Sequence, residues 1–199
     1  MADQQEAGVD WAGYYRWLEG RPVRPLLTRA LTEYGEVSPG ATAVDLGCGD
    51  GTETRALLDA GFSVTAVDSA EASLELLARL PEAGRSLTVV HTPMQDADLP
   101  PADLVYAGFS LPFCPPEAFD GLWARIRGAL RPGGLLACDL FGVGDAWADE
   151  AALTFVDRDR VLALVDGLDL RSLHEIEEEG TTFRGPKHWH FFQVVARAG

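Results

Sequence analysis

The chain has 199 residues, the size of one ordinary domain with no room for a second. Hydrophobic residues make up 47% of it and charged residues 24%, the balance of a globular protein that buries its own core. The net charge of −15 argues against a nucleic-acid backbone or an anionic membrane surface as partner and favours a cationic ligand. The first ten residues are acidic and lack the apolar core of a signal peptide, and no apolar run approaches the ~20 residues of a membrane span. Cys48, Cys114 and Cys138 form neither a metal knuckle nor a CxxC motif, as expected of reduced thiols in a cytoplasmic protein.

In chain order, residues 11–18 read as an aromatic-rich helix, and Pro22 and Pro25 end it. Leu26, Leu27, Ala30, Leu31 and Tyr34 recur at helical spacing, so a second helix spans 25–34 and stops at Gly35. A short apolar strand at 41–46 runs into a glycine-rich turn, followed by a helix at 52–60 and a strand at 62–67 that ends at Asp68. A helix at 70–80, strands at 87–91 and 103–109, a helix at 116–130 and a strand at 135–140 continue the alternation. After a helix at 157–165, two β-like segments at 168–177 and 188–196 are joined by about ten residues, too few for a helical crossover, so they pair antiparallel. The expected fold is α/β: a doubly wound, mostly parallel seven-stranded sheet that ends in an antiparallel hairpin.

The most informative segment is Val-Asp-Leu-Gly-Cys-Gly-Asp-Gly at 44–51. Gly47, Gly49 and Gly51 let a ligand approach the backbone at the carboxyl end of the first strand, where open α/β sheets bind ligands. The dinucleotide fingerprint needs glycine or alanine where Thr52 stands, and no phosphate-binding GxxxxGK[ST] loop is present. The spacing from Asp45 places Asp68 at the end of the second strand, where a carboxylate accepts two hydrogen bonds from a ribose diol. Gln95 and Asp96 follow the third strand, in place to read an adenine edge.

Taken together, AVDLGCGDG, VTAVDSA, MQDADLP, DLVYAGFSLPF and LRPGG resemble the class I S-adenosylmethionine-dependent methyltransferases in order and spacing, over about residues 40–199. The resemblance implies a Rossmann-like methyltransferase fold in one domain: an N-terminal helical cap (1–39), a cofactor-binding half (40–140) and a substrate-side half with the terminal hairpin (141–199). It implies S-adenosylmethionine as cofactor and S-adenosylhomocysteine as product. Gly47, Cys48 and Gly49 would line the methionine moiety, and Asp45 would anchor its amino group. Asp68, with Ser69 beside it, would hold the ribose, Asp96 and Gln95 the adenine, and Phe109 would face the methionine end. The nucleic-acid Asn/Asp-Pro-Pro-aromatic motif is missing after the fourth strand, and Phe113-Cys114-Pro115 does not match the Pro-Cys of cytosine-C5 enzymes. A small-molecule acceptor remains. The compact size, DLVYAGFSLPF and the short hairpin look most like bacterial tellurite-resistance methyltransferases and their small-molecule relatives.

Several residues admit two readings. His188 and His190 share one face of a strand: His190 reads as a general base toward the crevice, the pair as a metal site with Glu177 or Glu179, or both as hydrogen-bonded surface residues. Among Trp11, Tyr14, Tyr15 and Trp17, Tyr15 and Tyr14 either wall the acceptor pocket and face the sulfonium or belong to a helix packed on the sheet. Arg21 and Arg24 are candidates for the cofactor carboxylate, or surface charges. The acidic run of Glu175 and Glu177–Glu179 reads as a solvated hairpin face. The rival functions are a non-catalytic module that binds the cofactor or another nucleoside, and a nicotinamide-dependent oxidoreductase, disfavoured by Thr52 and by the lack of a Tyr-x-x-x-Lys set.

Overall fold

The computed structural model describes residues 10–80 and 86–199. The acidic start of the chain, residues 1–9, lies outside the described residues. Among the described residues the helices are α1 (Trp11–Trp17), α2 (Pro25–Tyr34), α3 (Thr52–Ala60), α4 (Glu71–Leu77), α5 (Pro116–Ala129) and α6 (Arg158–Leu164). The strands are β1 (Thr42–Leu46), β2 (Ser63–Asp68), β3 (Leu87–His91), β4 (Ala102–Ala107), β5 (Leu130–Gly142), β6 (Phe155–Val156), β7 (Asp169–Thr182) and β8 (Gly185–Arg197). They form one sheet in the order β3-β2-β1-β4-β5-β8-β7, with β6 paired to the end of β5. The first five strands are parallel, and β8 lies antiparallel to both β5 and β7.

Local chemistry sets the helix boundaries. Pro25 opens α2 with the φ a first turn needs, and Arg24 before it is extended. Gly35 and Gly61 take positive φ to close α2 and α3. Asp10 and Asp157 cap α1 and α6 by accepting from the backbone N–H groups of Gly13 and Arg160, each at 2.8 Å. In α5, Phe119, Leu122, Trp123, Ile126 and Ala129 fall on one stripe and bury against the sheet. Each large side chain there contributes roughly 1.5–3 kcal/mol.

Strand alternation divides the core in two. Val44, Leu46, Val105, Leu136, Cys138, Phe192 and Val194 face α5 and α6. Ala43, Leu104, Tyr106, Ala137 and Val195 face α2 and α3. The sequence runs from β1 outward to β2 and β3, and β4 then returns to the other side of β1, so the switch point lies between β1 and β4.

Two features depart from the expected architecture. The sheet gains an eighth strand, the two-residue β6, too short for a pattern of its own and formed because Phe141 and Gly142 offer it an edge. The hairpin is far tighter than a ten-residue connection: the ladder continues to Thr182↔Gly185 and only Phe183 and Arg184 turn. Thr181 and Thr182 extend the strand, and Gly185 adopts φ 115 at the corner. Glu178 and Glu179, expected in the connection, therefore sit in β7 with Glu175 and Glu177. No helix among the described residues is long and apolar enough to cross a membrane.

Candidate active site

The turn after β1 is built as its glycines require. Gly47, Gly49 and Gly51 have φ of 74, 53 and 76°. A Cβ on Gly47 would stand 2.3 Å from the Cβ of Ser110, so only glycine fits. Ser110 Oγ donates to the Leu46 carbonyl, tying the loop after β4 to the turn. The N–H groups of Gly47 and Cys48 donate to the Val67 carbonyl at 2.8 and 3.0 Å, locking the turn to the end of β2. The Cys48 thiol is buried beside Ser73, and burial pushes it well above its ordinary value, so it stays a neutral wall.

Asp68 is held from both sides. Its Oδ2 accepts from the Gly49 N–H at 2.8 Å and its Oδ1 from the Ala70 N–H at 2.9 Å. These bonds fix the carboxylate's orientation at the carboxyl end of β2. Ser69 follows, its carbonyl 2.8 Å from His91 Nε2. Gln95 and Asp96 lie in the single 3-10 turn Met94–Asp96 after β3. The Gln95 carbonyl takes the Arg125 guanidinium, which fixes that turn against α5.

On the α2/α3 face, the strand ends carry a row of polar groups that interrupts the apolar core. Asp45 pairs in register with Tyr106, and Asp139 with Gln193. Burial pushes the Asp45 carboxyl up to about 8, although Thr54 Oγ1 donates to it at 2.6 Å. Burial likewise raises Asp139 to about 6, against hydrogen bonds from Gln193 Nε2 at 2.9 Å and the Phe109 N–H at 3.1 Å. The Tyr106 hydroxyl is buried with no hydrogen-bond partner among the described residues. Glu53 completes the row. Burial opposes its charge, yet the Arg21 guanidinium and the Arg24 N–H hold its carboxyl below the ordinary value.

The two arginines part company here. Arg21 is spent on a buried double clasp, 2.8 Å to Asp50 and 2.5 Å to Glu53, and so is not available to a ligand carboxylate. The Arg24 guanidinium lies 4.9 Å over the Phe109 ring, and no side chain or carbonyl among the described residues accepts from it. A half-buried guanidinium with all five donors open is suited to a carboxylate.

Phe109 is the one non-glycine residue with positive φ among those described, at 53°. Asp139 holds its N–H, and its ring meets Phe141, Trp189 and Phe191 at centroid distances of 6.2, 5.7 and 5.0 Å. Across the glycine turn, α1 forms a cover. Tyr15 is buried, and its ring would lie 3.3 Å from a Cβ on Gly49; Trp11 meets Phe113 edge-on at 5.2 Å. Tyr15 thus touches the turn, whereas the neighbouring Tyr14 stacks on the exposed Trp17.

His190 is not brought to this site. It lies on the other face of β8, against Phe192, because it alternates with Trp189 and Phe191. Its Nδ1 accepts from the Gly144 N–H at 2.9 Å, which leaves the proton on Nε2, facing Glu175 at 3.2 Å. Side chains at 142 or 144 would strike its ring, so the loop after β5 is fitted around it. His188 sits exposed between Glu179 and Glu177 at 2.8 and 3.1 Å, and those hydrogen bonds raise its affinity for a proton. No group of three or more potential metal ligands gathers among the described residues.

Sequence reasoning missed Glu53, Tyr106, Asp139 and Gln193. A signal existed for Asp139: a lone carboxylate inside Leu-Leu-Ala-Cys-Asp-Leu, a stretch that reads as buried on both faces. For Tyr106 and Gln193 no such signal exists, since both are ordinary strand residues.

Residues 43–134 match the family described as methyltransferase domain. A carboxy-S-adenosyl-L-methionine synthase of Aliivibrio fischeri (strain MJ11) is 32% identical over 105 residues, 49% of this chain and 43% of that protein. The chain thus spans less than half the length of this relative. Among solved structures, TehB from Haemophilus influenzae superposes with a TM-score of 0.75 at 17% identity, covering 89% of this chain and 63% of that one. The N-methyltransferase NodS from Bradyrhizobium japonicum WM9, in complex with S-adenosyl-L-homocysteine, gives 0.68 at 14% identity, covering 92% and 90%. These likenesses establish the fold.

Proposed function

We propose that the chain is a class I, S-adenosylmethionine-dependent methyltransferase that transfers the methyl group of S-adenosylmethionine to a small-molecule acceptor. The reading rests on one observation above all: the carboxylate that ends β2 is held by an N–H of the glycine turn at the switch point. From there, Asp68 takes the ribose hydroxyls, and Gln95 and Asp96 flank the adenine. Arg24 takes the carboxylate of the amino-acid tail, and its open donors fit that group. Asp45, Glu53 and the partnerless Tyr106 hydroxyl surround the ammonium.

When bound, the cofactor supplies an electrophilic methyl on a sulfonium, so the protein needs no nucleophile of its own. What these residues do is orient and enclose. Phe109 and its neighbouring rings form an apolar wall that keeps water from the transfer path, and ring faces favour a nearby positive charge. Tyr15, resting on Gly49, closes the turn from above, so α1 has to lift for the ligand to enter. The acceptor lies beyond Phe109, bordered by Phe113, Phe141 and Trp189. The relative from A. fischeri is named for a carboxylated form of the same cofactor, which supports the cofactor assignment and leaves the acceptor to experiment. The buried free thiols Cys48, Cys114 and Cys138 support a reducing, cytoplasmic setting.

Calorimetry with S-adenosylhomocysteine tests the reading. The parent chain should bind, and Asp68→Ala should weaken binding about 10- to 100-fold, the loss of one or two charge-assisted hydrogen bonds. A parent chain that binds neither cofactor nor product overturns it.

A further inference from the structure

Lys187 is the only lysine in the sequence; every other Lys/Arg position is arginine. It sits near the turn of the hairpin, opposite Gly180 and on the same face of β8 as Trp189. Its ammonium is buried 3.4 Å from the ring centroid of Trp147, 3.7 Å from that of Trp189 and 4.3 Å from that of Phe141. Asp145 makes an ion pair with it at 2.9 Å, with both side chains almost fully enclosed. The ammonium has no hydrogen-bond acceptor in good geometry, so ring faces and carboxylate charge replace its lost water. Gly180, across the ladder, leaves room for Trp189: a Cβ there would stand 2.8 Å from the indole.

The box joins two separate pieces of chain. Phe141 is the penultimate residue of β5, Asp145 and Trp147 belong to the loop that follows, and Lys187 and Trp189 belong to β8. Asp145 also accepts from the N–H groups of Trp147 and His190, at 2.9 and 3.3 Å, and the Ala146 N–H donates to the His188 carbonyl. Two rings of the box, Phe141 and Trp189, are also neighbours of Phe109. The box and the acceptor wall therefore share side chains.

We propose that Lys187 is a positioning residue: its ammonium, boxed by Phe141, Trp147 and Trp189 and paired with Asp145, pins the loop after β5 to the hairpin and so sets the shape of the acceptor wall. That the wall serves an acceptor rests on the methyltransferase reading; the pin itself does not. A compact ammonium fits a space bounded by three ring faces, and a planar guanidinium does not, which explains why lysine stands at this one position. Without the cation, Asp145 is left as a buried, uncompensated charge, and the loop loses the partner that holds it down.

The test is amide hydrogen exchange at Gly144, Ala146 and Trp147, read in the full chain. Lys187→Met, Lys187→Arg and Lys187→Ala should each speed exchange there about tenfold or more, while exchange in β1 and β4 stays as in the parent. Propylammonium added to Lys187→Ala should restore slow exchange. The neutral 1-propanol, of the same length, should not, which separates a cation pin from simple filling of space. Affinity for S-adenosylhomocysteine should stay within about threefold of the parent. Parental protection in the Met and Ala variants overturns the proposal, as does equal rescue by 1-propanol. If the parent chain fails to bind S-adenosylhomocysteine, the methyltransferase reading falls while the exchange result still decides the pin.

Discussion

At the scale of the residue, the site runs on carboxyl groups in unlike surroundings. Asp68 is at the rim, held by two backbone N–H groups, and Asp45 is sealed behind it, accepting from the Thr54 hydroxyl. A carboxyl whose folded value is about 8, against roughly 4 when unfolded, keeps a proton in the native state that the unfolded chain gives up. Its contribution to stability is present below about pH 4 and is lost as pH rises toward 8. Asp139 adds a slope of the same sign up to about pH 6. Urea unfolding at several pH values should therefore show stability falling from pH 5 to pH 8. Asp45→Asn, which still accepts from Thr54, should flatten that fall and stabilise the chain at pH 8 by about 1–3 kcal/mol. An identical slope in the variant would mean that Asp45 is already ionised.

At the scale of the element, legibility followed locality. β1, the glycine turn and Asp68 were readable because each depends on its own residues: an apolar run, positive-φ glycines and a carboxylate at a strand end. β6 and the length of the hairpin were not, since both exist only through a partner strand. The acidic run illustrates the difference. Glu177 and Glu179 read as a solvated hairpin face, but only the ladder shows that they lie along an edge strand with His188 between them, where like charges discourage pairing with another sheet edge. α1 is a similar case. Its seven residues are too few to hold a helix in isolation, so it owes its form to the contacts of Tyr15 and Trp11 with the site it covers. Tyr15→Ala should therefore raise both the association and the dissociation rate of S-adenosylhomocysteine, by about threefold or more, in stopped-flow fluorescence. Unchanged rates would show that α1 does not gate the turn.

At the scale of the whole molecule, a net charge of −15 on 199 residues makes the folded state repel itself. Raising NaCl from about 10 mM to about 0.5 M shortens the Debye length from ~30 Å to only a few ångströms. The thermal midpoint should rise by several degrees, on the order of 1 kcal/mol of relieved repulsion. A flat or falling midpoint would mean that the surface arginines already compensate the charge locally.

The alternating α/β order, the bend at Gly47–Gly51 and the acid at the end of β2 were legible from the chain alone, because they depend on neighbours a few residues apart. Which strand faces meet across the sheet was settled by long-range packing. Alternation shows that His190 and Trp189 point opposite ways, but not which of them looks toward Phe109; the course of the chain chose Trp189. The same choice gathered Asp45, Tyr106, Asp139 and Gln193 into one polar row and closed three rings around Lys187, since contacts between distant strands are fixed by packing and leave no periodic trace.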